Sequence, residues 1–97
     1  MDLNLDTFKP LLHGTFVLPF QDIDDWELTL SEVNEMPDIP GQSRKRFSLV
    51  FHSANSEQYL QQATYLLKHE KIGDNHFFLV PLGPGPDGGF LYESVFT

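Results

Sequence analysis

Apolar and polar residues alternate with a period of two in three runs near the end of the chain: 46–52 (RFSLVFH), 75–81 (NHFFLVP) and 90–96 (FLYESVF). Each is rich in aromatic and β-branched residues and is bounded by Gly, Pro, Asn or Ser, which predicts strands. The pattern places Phe47, Leu49 and Phe51 on one face of their strand, with Val50 on the other, so both faces of that strand are expected to be partly covered. Phe78 and Val80 are expected to point into the core from the next run.

The remaining strands are shorter. Phe16, Leu18 and Phe20 share one face of 15–20, and Pro19 makes this an edge strand or a strand end. Trp26, Leu28 and Leu30 share one face of 26–30, and Val33 falls out of phase with them. One extra residue near Ser31 restores the phase, which is the mark of a β-bulge. Residues 64–69 (TYLLKH) read as a further strand, joined to 76–82 by a hairpin at 72–75. Residues 83–89 (GPGPDGG) are predicted to be an irregular loop. Ahead of the strands, Asp6 or Thr7 is the expected cap of one or two helical turns carrying Phe8, Leu11 and Leu12, with Gly14 as the left-handed stop. The fold class is therefore all-β: a single domain over 1–97, with six short antiparallel strands in a meander that closes into a small barrel or stacks as a sandwich.

Composition narrows this further. The chain has 97 residues, 40% of them hydrophobic, and no cysteine. A chain of this length buries roughly two-thirds of its unfolded surface, enough for one core. The lack of cysteine excludes a disulfide scaffold and thiolate metal sites. No signal peptide is visible, and no stretch nears the roughly 18 apolar residues of a membrane span, so a cytoplasmic, soluble product is expected, with incorporation into a larger particle left open. The net charge is −8. That opposes binding to a nucleic-acid backbone or an anionic membrane.

The charge is uneven. Asp22, Asp24, Asp25, Glu27, Glu32, Glu35 and Asp38 crowd one segment, and Arg44, Lys45 and Arg46 follow it, an order that suggests cross-strand pairing. Asp22, Asp24 and Asp25 are candidate partner contacts on an acidic turn, and Tyr59, an aromatic in a polar stretch, is a fourth. The plainer reading of the acids is a solvated face.

Catalytic patterns are missing. His69, Glu70, Asp74 and His76 flank one hairpin, yet their spacing matches no standard metal site, and His69 shares a face with Tyr65 and Leu67 as a core or rim residue would. Asp22, Asp24 and Asp25 lack the glycine and distal glutamate of a calcium loop. Glu93 alternates outward, toward solvent, between apolar neighbours. Trp26, Phe20, Tyr59 and Tyr92 are candidates for an aromatic platform, although aromatics at alternating positions are more often core. No cofactor is implied, and no enzyme is expected.

Read together, Phe8-x-Pro10-Leu11-x-x-Gly14-x-Phe16, Leu28-x-Leu30-x-Glu32-Val33, Phe47-Ser48-Leu49-x-Phe51, Thr64-Tyr65-x-Leu67-x-His69, Phe77-Phe78-Leu79-Val80-Pro81 and Tyr92-Glu93-x-Val95-Phe96 resemble a family of small bacterial β proteins known as a domain of unknown function. Such proteins are often encoded beside phage-tail-collar-like fibre proteins. The resemblance implies a compact β fold and a place in a tail-like or fibre assembly, and it carries over no catalytic residue.

The functional expectation is a non-enzymatic interaction module that binds another protein, with strand edges at the two ends of the chain available for contact. The alternative is a barrel that binds a small molecule or carbohydrate. A small excess of calcium or zinc should leave the melting temperature unchanged. A saturable rise, abolished by His69→Ala or Asp24→Asn, would establish a metal site instead.

Overall fold

Alternation at these positions produces six strands: β1 (Thr15–Leu18), β2 (Trp26–Glu35), β3 (Phe47–Ser53), β4 (Ala63–His69), β5 (Gly73–Pro84) and β6 (Phe90–Phe96). The structure is a computed structural model and describes residues 3–19, 26–37, 39–41, 45–55, 60–86 and 88–96. The strands close into an antiparallel barrel in the order β1-β2-β3-β6-β5-β4. The expected single meander is thus two three-stranded meanders, joined where β3 meets β6 and where β1 meets β4. Closure also corrects the expectation of free strand edges, since β1 pairs with β2 and β4, and β6 with β3 and β5. The β1–β4 seam is short, with Val17 opposite Lys68 as its register pair.

The local signals explain the strand boundaries. β1 ends at Leu18, ahead of Pro19, which has no N–H to give to a ladder. The register of β2 against β3 shifts between Leu30 and Glu32, so Leu30 faces Phe51 and Val33 faces Leu49. This is the bulge that the phase of Val33 requires. β3 is buried along both faces: Phe47, Leu49 and Phe51 inward, Ser48 and Val50 on the other side. β5 runs two residues into the Gly/Pro segment, to Pro84, and an isolated bridge joins Pro86 to Gly88, so Gly85 and Gly89 are the described residues of that segment outside strand and bridge.

The N-terminal helix forms with different caps. Helix α1 (Leu5–Phe8) is capped by Asn4, whose side chain accepts from the Thr7 N–H at 3.0 Å while the Thr7 hydroxyl accepts from the Asn4 N–H. This reciprocal box displaces Asp6 and Thr7 from the capping role. A 3-10 turn follows, Lys9–Leu11, with Pro10 in its first positions. The left-handed residue is His13, at φ 71°, rather than Gly14. Gly14 is required for a different reason: a Cβ there would lie 2.9 Å from the Leu11 carbonyl oxygen. Phe8 and Leu11 are buried, whereas Leu12 is 39% exposed.

Inside the barrel, phenylalanines meet ring to ring. Phe77 lies 5.8 Å from Phe51 and 6.0 Å from both Phe8 and Phe16. Phe8 on the helix also reaches Phe47 and Phe96, at 5.8 and 5.5 Å, and so closes one end. This arrangement corrects the expected orientation of β5. Phe77 and Leu79 are buried, Phe78 is 49% exposed and Val80 is partly exposed. The run 77–82 is apolar on both faces, so alternation alone does not mark its inner side. Ring packing does.

Toward the other end, the residue that contributes ahead of β4 is Leu60. It is buried, and its N–H donates to the Tyr92 hydroxyl at 2.8 Å. The Trp26 indole N–H donates to the Ser53 hydroxyl nearby. Burial pushes the Tyr92 phenol above its ordinary value; the Tyr65 phenol adds to the shift, while the Leu60 N–H opposes it.

Two predictions follow from this interior. Phe51→Ala should cost about 3–5 kcal/mol in a denaturant titration, while Phe78→Ala should cost less than about 1 kcal/mol. Equal losses would contradict the register of β5. For Tyr92, a raised folded pKa stabilises the fold below the unfolded value, and this contribution is lost as pH rises from about 10 through the folded value. Tyr92→Phe should therefore remove part of the alkaline unfolding step. It should also cost about 1–3 kcal/mol at neutral pH, because the Leu60 N–H stays buried without an acceptor. An unchanged alkaline transition in the variant would rule this out.

Candidate functional site

The outer surface of β2, β3, β6 and β5 is ordered by its register. One row across the strands reads Thr29, His52, Leu91, and the next reads Glu32, Val50, Glu93, Val80. Along β5 and β6 the outward side chains are largely apolar. Phe78 is 49%, Leu82 50% and Val95 45% exposed, and Val80 and Leu91 are partly exposed beside them. Glu93 lies among these residues, with Val50 and Val80 as its partners across the two neighbouring strands. Isolated apolar residues on a surface are ordinary; here several outward apolar residues share two paired strands.

Beside this face the Gly/Pro loop makes a wall. His52 Nε2 lies 2.9 Å from the Gly88 carbonyl oxygen. A carbonyl only accepts, so Nε2 carries the proton and donates. A Cβ on Gly85 would meet the His52 ring at 3.0 Å and the Gly88 carbonyl at 2.9 Å, and one on Gly89 would overlap the Ser53 carbonyl. The glycines therefore let the loop lie on the end of β3, and His52 holds it there. Between loop and sheet is an open groove of about 380 Å³ lined by Thr29, Ser31, Glu32, His52, Pro86 and Leu91. The Ser31 hydroxyl donates to the Val50 carbonyl at 3.0 Å, so the bulge residue is held at the groove floor.

The residues singled out in the sequence are placed as follows. Asp22, Asp24, Asp25 and Tyr59, the candidate partner contacts, lie outside the described residues, as do Phe20, Asp38 and Arg44. Of the acidic segment, Glu27, Glu32 and Glu35 are exposed along β2. Lys45, just ahead of β3, pairs with Glu35 at the end of β2 at 3.1 Å, in the expected order of acid then base although not strand to strand. Both groups are more than half exposed, and such a pair contributes little. Tyr92 is fully buried and Trp26 is tied to Ser53, so neither belongs to an exposed aromatic platform.

The hairpin cluster comes apart. His69 points inward, its ring 4.6 Å from that of Phe16, and its Nδ1 accepts from the Lys71 N–H at 3.0 Å. Asp74 and His76 are exposed, opposite Lys68 and Leu66. Among the described residues no three metal-ligating side chains gather. The groove itself escaped sequence reasoning. Its signals were the outward His52 at the end of β3 and the length of the Gly/Pro segment, but nothing local shows that the two meet across thirty-six positions.

A family model described as a domain of unknown function, DUF6916, matches residues 3–96. No curated protein matches the chain, and no solved structure does. No helix among the described residues is long and apolar enough to cross a membrane.

Proposed function

We propose that this chain, which belongs to the DUF6916 family of domains of unknown function, is a non-enzymatic protein-interaction module that docks through the outer face of β5 and β6. The observation that carries this reading is the outward set Phe78, Leu82 and Val95, each about half exposed on paired strands. These side chains add nothing to the core. The interior is already occupied by phenylalanine rings in mutual contact. Burying the outward set against a partner would supply the apolar centre that specific interfaces have. The net charge of −8 favours a partner with a basic rim and disfavours nucleic acid and anionic membrane.

An accessory role fits the described histidines of β3 and β4. His52 holds a loop, and His69 holds a turn and packs on Phe16, so each is engaged in structure. The alternative of an interior small-molecule or carbohydrate site would need room where the rings now touch. The association implied by the resemblance makes a component of a fibre or tail-like assembly the first partner to try.

The test is capture of a partner by a tagged copy, followed by binding of the purified pair. Phe78→Ser combined with Leu82→Ser should weaken that binding about tenfold or more while the melting temperature shifts by no more than a few degrees. Unchanged affinity in a folded double variant would remove this face from the interface.

A further inference from the structure

The groove beside the docking face has a distinct chemistry. Two of its walls are apolar, Pro86 on the loop and Leu91 on β6. Its polar lining consists of Thr29, Ser31, Glu32 and His52. Glu32 is the charged group in this lining, and no Lys or Arg among the described residues lines it. His52 spends its Nε2 proton on the Gly88 carbonyl, and Ser31 spends its hydroxyl proton on the Val50 carbonyl. What remains on offer is mainly acceptor capacity: the Glu32 carboxylate, the Ser31 and Thr29 oxygens and, in neutral His52, the second ring nitrogen. An acceptor-rich, apolar-walled groove on a chain of net charge −8 selects a cation with an aliphatic stem.

We infer that this groove receives an arginine side chain of the docking partner, its methylenes against Pro86 and Leu91 and its guanidinium on Glu32. Arginine suits the site better than lysine, because its planar fork can bond a carboxylate with two N–H groups and a hydroxyl or ring nitrogen with others. The groove is continuous with the apolar face. Leu91 in its lining lies on β6 with Val95 and pairs with Gly83, next to Leu82, so one partner segment crossing the strands meets the Glu32 carboxylate and then the aliphatic surface. The loop wall is preformed by the His52–Gly88 bond, which lowers the ordering cost of binding. The inference rests on the docking reading above and names the side chain that sets its register.

The test uses the capped peptide acetyl-Gly-Arg-Gly-amide and its citrulline counterpart, which keeps the stem and loses the charge. Each is titrated into the ¹⁵N-labelled protein and followed by NMR. The arginine peptide should shift the amides of Glu32, His52, Gly88 and Leu91 saturably, and at least about fivefold more tightly than the citrulline peptide. In Glu32→Gln, at an exposed position, the arginine peptide should fall to the citrulline level. Equal binding of the two peptides, wild-type binding in Glu32→Gln, or shifts spread over all exposed carboxylates would overturn the inference. The captured partner separates the two readings. Loss of binding in Phe78→Ser/Leu82→Ser with full binding in Glu32→Gln would leave docking intact and overturn the arginine groove. The reverse pattern would keep the groove and move the docking face elsewhere.

Discussion

Ring packing around Phe77 is the contact on which the rest of this barrel depends. Its ring lies within 6.1 Å of those of Phe8, Phe16, Phe51 and Phe96, which come from the helix and from three other strands. A small barrel has room for side chains and little else, so these rings make up much of the core that the closed sheet surrounds. Aromatic pairs in tilted and edge-to-face geometry contribute beyond the area they bury. Phe8 adds the lid: by joining the cluster it draws the capped helix over the open end.

The same packing decides what faces outward. Once Phe77 and Leu79 turn inward, the pleat sends Phe78 and Val80 out, and the register carries Val95 and Leu91 to the same side on β6. The apolar outer face is thus the other half of a run that is apolar throughout, and filling the inside does not require it. A chain under no pressure to keep that face apolar would gain solubility from polar residues there. The exposed apolar residues Phe78, Leu82 and Val95 are what supports docking over a purely structural barrel.

At the far end, polar contacts take over from rings. Ahead of β4 the Tyr92 hydroxyl accepts the Leu60 N–H, so a buried backbone donor outside the strand ladders is satisfied. On the outside, His52 performs a similar task for the Gly/Pro loop through the Gly88 carbonyl. Each anchor fixes a connection that the strands alone would leave loose, and the second of them builds a groove.

Period-two alternation determined the existence of the strands, because a half-buried strand cannot hold its core face without it. The bulge at Ser31 was legible for the same reason, since Val33 has to return to the inner face. The stop at Pro19 followed from a missing donor. The inner side of β5 was not legible: Phe77 and Phe78 are chemically alike, and only the rings waiting across the barrel distinguish them. Nor was the cap, because Asn4, Asp6 and Thr7 are all competent and only the formed helix, with Asn4 and Thr7 bonded reciprocally, distinguishes the first. Strand order, closure and the meeting of His52 with Gly88 are set by contacts between residues far apart in sequence. Local pattern carries no information about such contacts, so tertiary packing alone decided the barrel, its outer face and the groove.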